Sequence, residues 1–454
     1  MSRLYCRNRR EDRLLNMEDA AVGQIYKLML KQGIGVAAFP LVQKGASVKK
    51  GTLLAQPDPK SLGVPLHASV SGKIADITDS FILIEAAAVQ SDEFEPLPRF
   101  SSIAETVRAA GLCGMGGAGF PTYVKLETDL NGGTVIINAA ECEPLLKHNI
   151  EQIVREPEKI YRGLLLAMQS THAKRGIIGV KSKNAGATAA LRATIKTSDN
   201  VTIHELADLY PMGEERALVR ETLGKLLGVD QLPAAAGAVV INAESAARIA
   251  EAVDQGRPVI SKNITVAGKL KSGRDSKVFM DVPIGARVED LINMAGGIDG
   301  VYGEIIMGGP FTGKSCALAD VLTKTTGGII VSMEFLTEKR PLGLLACACG
   351  AGGLRMRELA DKLRATVVGV QKCKQAQQIK GMLKCENPGH CPGQAEKILE
   401  LKKAGAQAIL CGNCSDCTNT VMCAAPKLKM AVHHITDHVM RTVGHPLIRR
   451  LPVE

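Results

Sequence analysis

Tryptophan is absent from this chain of 454 residues, and aromatic residues of all kinds make up 3% of it. Nucleic-acid surfaces built from stacked rings are disfavoured by that scarcity. No block of basic residues with interleaved aromatics occurs either, and no stretch is apolar and long enough to span a bilayer. The opening MSRLYCRNRREDRLLN is basic, but it leads into NMEDAAVGQIYKLMLKQG, a mixed helical pattern without a signal peptide's apolar core. The expectation is a cytoplasmic, soluble protein with no direct insertion into a membrane, any peripheral association running through a partner.

Glycine is plentiful instead, at 46 residues, so tight turns and close backbone approaches must be frequent and packing must rely on aliphatic side chains. The net charge of +10 reads as a solvated basic surface. Of 13 cysteines, all but Cys6, Cys113, Cys142 and Cys316 follow Ala346. In a reducing compartment such thiols serve chemistry rather than staples. The length predicts two to four domains.

From Gly35 to Ala87, β-branched runs punctuated by Gly, Pro and Asp predict a small all-β module with turns at Lys44-Gly45 and Lys50-Gly51. Beyond residue 101, TVIINAAE, a helix through IEQIVREPEKIYRGLLLAM, KRGIIGVK and NVTIHELA alternate as in a covered parallel sheet. Residues 257–335 read as a small α+β unit, and from about 336 α/β alternation returns with cysteines at strand ends. The fold class expected is multidomain α/β.

The run AGLCGMGGAGFPTYVKLE removes side chains at Gly114, Gly116, Gly117 and Gly119, letting backbone N–H groups approach a phosphate or a flat ring, with Lys125 downstream to add charge. VIINAAECEP then places Asn138, Glu141 and Glu143 at a strand end. YPMGEERAL with Gly213, Glu214 and Glu215, and VVINAESAA with Asn242 and Glu244, repeat the pattern of a strand followed by a polar loop. Each alone suits a helix cap; together they suggest one convergent site. IMGGPFTGKS has the spacing of a phosphate-binding G-x-x-x-x-G-K-S loop, but Pro310 lies inside it and CALADVLTKTTGG is a poor helix to follow it, so an ATPase is disfavoured.

GLCGMGGAGFPTYVKLE, VIINAAECEP and YPMGEERAL together resemble the flavin- and NADH-binding domain shared by the flavin subunit of respiratory complex I and the C subunit of the Rnf electron-transport complex. The resemblance covers roughly residues 35–335. It implies an N-terminal helix plus barrel-sandwich domain at 1–100, a Rossmann-like FMN/NADH domain at 101–255, a β-grasp domain at 256–335 and a Cys-rich redox domain at 336–454. It further implies FMN contacts from Gly114, Gly116, Gly117 and Lys125, with Asn138 and Glu141 near the flavin. Phe120 and Glu143 would lie near NADH, Gly213, Glu214 and Glu215 between flavin and nicotinamide, and Asn242 and Ser245 on the flavin's other side. Ala140 and Leu126-Glu127-Thr128 depart from the complex I pattern.

The stretch CGNCSDC with Cys423 beyond it offers Cys411, Cys414, Cys417 and Cys423 as ligands of a 4Fe–4S cluster, although the fourth thiol comes late for that motif. A redox dithiol at Cys411 and Cys414, or structural zinc, compete with it. Cys347, Cys349, Cys373, Cys385 and Cys391 stand in reserve. His433, His434, His438 and His445 read as polar or packed residues rather than a metal site, since MAVHHI suits a strand. Rnf C subunits end in two complete CxxCxxCxxxCP motifs, which this chain lacks. The altered tail resembles the Rnf-C-like electron-transfer flavoproteins associated with D-proline reductase. That resemblance implies electron flow from NADH through FMN to the thiols and on to a partner reductase, a selenoenzyme among the options. An Rnf-type C subunit, a cobalamin-reductase-like protein, and a scaffold that has lost its cofactors are the alternatives.

Overall fold

The computed structural model describes residues 24–379, 381–412 and 415–444, with residues 415–419 described by their backbone alone. Cys6, Cys414, His445 and the helix expected before residue 24 lie outside the described residues. Ile25–Met29 is a strand rather than part of that helix. Tyr26, Leu28 and Leu30 are buried at alternate positions, the period of a strand, and the segment pairs antiparallel with Phe81–Ala86. That pair belongs to a four-stranded sheet, a three-stranded sheet completes this first unit, and Gly45 and Gly51 take positive φ at the expected turns.

In the second unit Val201–Leu206, Arg175–Lys181, Thr134–Ala139 and Ala238–Asn242 lie side by side in that order, all parallel. Strand order reverses direction between Thr134–Ala139 and Ala238–Asn242, and Asn138 faces Asn242 in register there. Such switch points open a crevice at the carboxyl ends of strands. The single helix expected over residues 150–168 is two, His148–Arg155 and Pro157–Ser170. Proline disfavours helical geometry in the residue before it and suits the first helical position, so Pro157 ends one helix and begins the next. The second packs closely on Ala243–Gln255, where a Cβ on Gly163 would stand 1.8 Å from the Ala246 carbonyl oxygen.

Lys277–Pro283, Ser261–Gly268, Gly328–Val331, Ile305–Met307 and Lys314–Cys316 form a mixed sheet in that order, accompanied by the helix Val288–Met294. This third unit and the first share one core, with Leu28, Ile82 and Ile84 packed among the same residues as Ile264, Val266 and Val331. Neither small sheet can bury its apolar face alone, so segments far apart in sequence close on each other. The G-x-x-x-x-G-K-S loop runs from strand to strand within this sheet and leads into no helix.

The fourth unit is a parallel sheet ordered Val367–Lys372, Leu342–Ala346, Ala408–Cys411, Ala431–His434. A hairpin, Ala376–Ile379 with Met382–Cys385, projects from it. The imidazoles of His433 and His438 pair with carboxylates, Glu338 at 2.5 Å and Glu304 at 2.7 Å. Among the described residues no helix is long and apolar enough to cross a membrane.

Candidate functional site

A cavity of about 1010 Å³ opens at the switch point of the second sheet. Its size suits a cofactor together with a second ligand. Of the residues singled out in the sequence, Gly116, Gly117, Asn138, Glu141, Glu143, Gly213, Glu214 and Asn242 line it, while Gly114, Phe120, Lys125, Glu215 and Ser245 stand behind its walls.

The second group holds the first in place. Gly114 N–H donates to the Phe120 carbonyl at 2.8 Å, folding the glycine run back on itself. Ser245 Oγ accepts the Met115 N–H at 3.0 Å and pins the run to the helix Ala243–Gln255. Lys125 Nζ pairs with Glu215 and donates to the Val240 carbonyl at 2.9 Å, so its charge is already matched within the protein.

The polar loops after the strands cap their own backbone. Asn242 Oδ1 accepts the Glu244 N–H at 2.9 Å, and Glu214 Oε2 accepts those of Arg216 and Ala217 at 2.9 Å, both as helix N-caps. Asn138 Nδ2 donates to the Gly213 carbonyl at 2.7 Å, which joins two of the loops. Glu143 reaches across to the G-x-x-x-x-G-K-S loop. Its carboxylate accepts the N–H groups of Phe311 and Thr312 at 2.8 and 2.9 Å and the Thr312 hydroxyl at 2.6 Å. An internal carboxylate therefore fills the cradle that a phosphate would take in a nucleotide-hydrolysing loop.

Glu141 sits at φ +40°, its buried carboxylate accepting the Asn149 N–H at 3.0 Å. Burial pushes its pKa up to about 7, against the lowering pull of Asn149 and Lys262. Between the ordinary value of 4.5 and about 7 the folded chain holds a proton that the unfolded chain has released. This group's stabilising contribution is therefore complete below about 4.5 and is lost as pH rises through about 7. The loss amounts to about 3 kcal/mol. Glu141→Gln is expected to flatten that decline, becoming more stable than the parent at pH 8. Thermal unfolding between pH 5 and 8 checks this, and parallel profiles for the two proteins would refute it.

Sequence reasoning missed the opposite wall. Tyr210, Arg216, Cys142, Cys349 and Cys385 all face the cavity, and the last two belong to the thiol-rich unit. Tyr210 donates its hydroxyl to the Cys349 carbonyl at 2.6 Å, and Arg216 Nη2 donates to that of Cys385 at 2.5 Å. Arg216 Nε bonds Glu214 at 3.2 Å, while Nη1 is buried and has no hydrogen-bond partner among the described residues. The Cys142 thiol accepts the Gly213 N–H at 2.7 Å, and burial pushes its pKa up to about 11, so it stays protonated. The sequence signal for Arg216 was its place directly after the Gly-Glu-Glu loop.

Cys411 is buried at the end of its strand and donates to the His433 carbonyl at 3.3 Å, whereas Cys423 is exposed. Cys417 lies on the helix Ser415–Ala424, and its side chain is not among those described. Among the described residues no three His, Cys, Asp or Glu side chains are grouped to hold a metal ion.

A ligand cavity at the switch point of a glycine-looped parallel sheet, lined in part by a second sheet that carries thiols, defines a multidomain α/β ligand-binding protein. Residues 107–251 match the model of the Nuo51 FMN-binding domain, and residues 7–91 that of the RnfC barrel sandwich hybrid domain. The C subunit of the Na(+)-translocating ferredoxin:NAD(+) oxidoreductase complex of Acetobacterium woodii is 32% identical over 316 residues, 65% of this chain and 70% of that protein. The C subunit of the proton-translocating ferredoxin:NAD(+) oxidoreductase complex of Clostridium ljungdahlii is 31% identical over 320 residues, covering 66% and 69%. Cobalamin reductase PduS of Citrobacter freundii is 29% identical over 352 residues, covering 76% and 72%. The chain belongs to the family of Rnf-complex C subunits.

Proposed function

We propose that this protein is a cytoplasmic electron-transfer flavoprotein that carries electrons from NADH through FMN to its thiol-rich C-terminal unit and on to a partner reductase. The observation that carries the reading is the shared cavity, lined both by Gly116 and Gly117 and by Cys349 and Cys385 of the thiol-rich unit. The residues present fit a flavin nucleotide. Among the described residues, chain neighbours aside, nothing stands within 4 Å of where a Cβ on Gly117 would be, so a flat ring or phosphate can approach its backbone. Lys125 is held by Glu215 and Arg216 already bonds Glu214 and the Cys385 carbonyl, so an anionic group would rest on backbone N–H groups of the glycine run. When bound, FMN supplies the conversion between hydride donors and thiol or one-electron acceptors. Around it the chain orients ligands through Asn138, Asn242 and Gly213, and can hold or release a proton at the Glu141 carboxyl near neutral pH.

At the tail we retain the 4Fe–4S reading of Cys411, Cys414, Cys417 and Cys423, with a dithiol and zinc as its rivals. D-proline reductase is the partner that the resemblance of residues 336–454 to its associated electron-transfer flavoproteins implies. The named relative PduS favours a second reading, reduction of cobalamin. Anaerobic purification with flavin, iron, sulfide and zinc quantified on one sample tests the proposal. A flavin absorption band bleached by NADH supports it. Flavin-free protein that takes up no added FMN would leave the scaffold reading.

A further inference from the structure

A second cavity, of about 450 Å³, is lined by the first unit, by residues 95–100 and by the helix Ile103–Ala109. Its size falls within the range of small-molecule sites. None of its lining residues lines the cavity at the switch point, so the two spaces are separate.

The walls are largely apolar, with the exposed side chains of Leu53 and Phe100 standing among five prolines. Faces of this kind take up another ring by removing apolar area from water. The charged groups of the lining keep their hydrogen bonds within the protein. Glu95 accepts the Thr52 hydroxyl at 2.6 Å, Glu105 accepts that of Ser101 at 2.6 Å and closes the capping box of its helix, and Arg108 Nη2 donates to the Pro59 carbonyl at 2.8 Å.

His67 differs from them. It is 3% exposed and pairs with Leu53 across the small sheet. Neither ring nitrogen has a hydrogen-bond partner among the described residues; Nδ1 is sealed from solvent, which leaves Nε2 as the nitrogen open to the cavity that the ring lines. Burial, with Lys324 nearby, pushes its pKa down to about 3, so the imidazole is neutral and has one donor and one acceptor to offer. Burying such a group without a partner is unfavourable, and a ligand atom at Nε2 relieves that. A hydroxyl both donates and accepts, so it pairs with either tautomer of the ring, whereas a carbonyl pairs with one.

We propose that this second cavity binds an uncharged, ring-bearing small molecule whose hydroxyl group hydrogen-bonds His67. The site stands apart from the flavin reading, since the two cavities share no lining residue.

Calorimetric titration of the full chain with 1-naphthol and with naphthalene tests the proposal. 1-Naphthol is expected to saturate a single site with an affinity unchanged by added FMN. His67→Phe keeps an apolar ring in place; it is expected to weaken 1-naphthol about tenfold or more and to leave naphthalene within about twofold, because only the hydroxyl loses its partner. Phe100→Ala, at an exposed position, is expected to weaken both ligands about three- to tenfold, and it carries the test should His67→Phe fail to fold. Absence of 1-naphthol binding, its displacement by FMN, an equal loss of both ligands in His67→Phe, or an affinity for 1-naphthol unchanged in either variant would overturn the inference.

Discussion

Alanine at Gly117 is expected to strip the protein of flavin while leaving its fold unchanged, and alanine at Gly116 to damage both. At Gly117 the added Cβ meets no atom of the described residues within 4 Å apart from its chain neighbours, so the change bears on a ligand rather than on the fold. A methyl forced into a close ligand contact costs about 1–3 kcal/mol, which lowers affinity about 5- to 150-fold. At Gly116 the Cβ would stand 2.3 Å from Asn242 Nδ2 and 2.8 Å from its Cγ. Asn242 would have to abandon the cap it forms at the helix Ala243–Gln255, a loss of about 1 kcal/mol before any effect on the ligand. Flavin content and thermal unfolding, read on both variants, separate the two effects. A Gly117→Ala protein that keeps its full complement of flavin would move the ligand away from the glycine run.

That contrast also marks what the sequence could reveal. The glycine run and the residues after each strand were legible because their chemistry is local: the spacing of glycines, and a polar side chain next to an apolar run, appear within a few positions. The parallel order of the second sheet made those loops converge, as alternating strands and helices predict. Lys125 shows the limit, since nothing near it in sequence announces that Glu215 will take its charge. Arg216 and Cys385 meet although 169 positions separate them, and no periodicity encodes such a contact. Phosphate-loop spacing at Gly308–Ser315 was legible too, but its meaning depended on Glu143 arriving from another unit to fill it. The shared core of the first and third units was hidden for the same reason. Each has apolar strands of ordinary pattern, and only their mutual burial shows that they are one body.

The second large effect is expected at Tyr210, where three units meet. Its ring stacks on Phe311 with centroids 3.8 Å apart and planes at 8°, and Phe311 meets His434 edge-on at 5.3 Å. Phe311 is held by its backbone N–H to Glu143, so the stack runs from the flavin-domain loop through the third unit to the last strand of the thiol unit. Burial, with Glu143 and Cys349 nearby, drives the Tyr210 hydroxyl pKa well above its ordinary value, which keeps it a donor to the Cys349 carbonyl. Replacement of a buried aromatic by alanine typically costs about 3–5 kcal/mol, and here that loss falls on the contact that docks Cys349 against the cavity. Tyr210→Ala is expected to retain reduction of bound flavin by NADH, because the glycine run and Asn138 are untouched. Reduction of the C-terminal thiols should fall about 100-fold or more, as that energy implies. Tyr210→Phe loses one hydrogen bond, about 1 kcal/mol, and should stay within about fivefold of the parent. Stopped-flow absorbance follows the first step and timed alkylation of thiols the second. If Tyr210→Ala slowed both steps equally, the residue would be supporting the flavin domain alone; if it slowed neither, electrons would leave the cavity by some wall other than the one carrying Cys349 and Cys385.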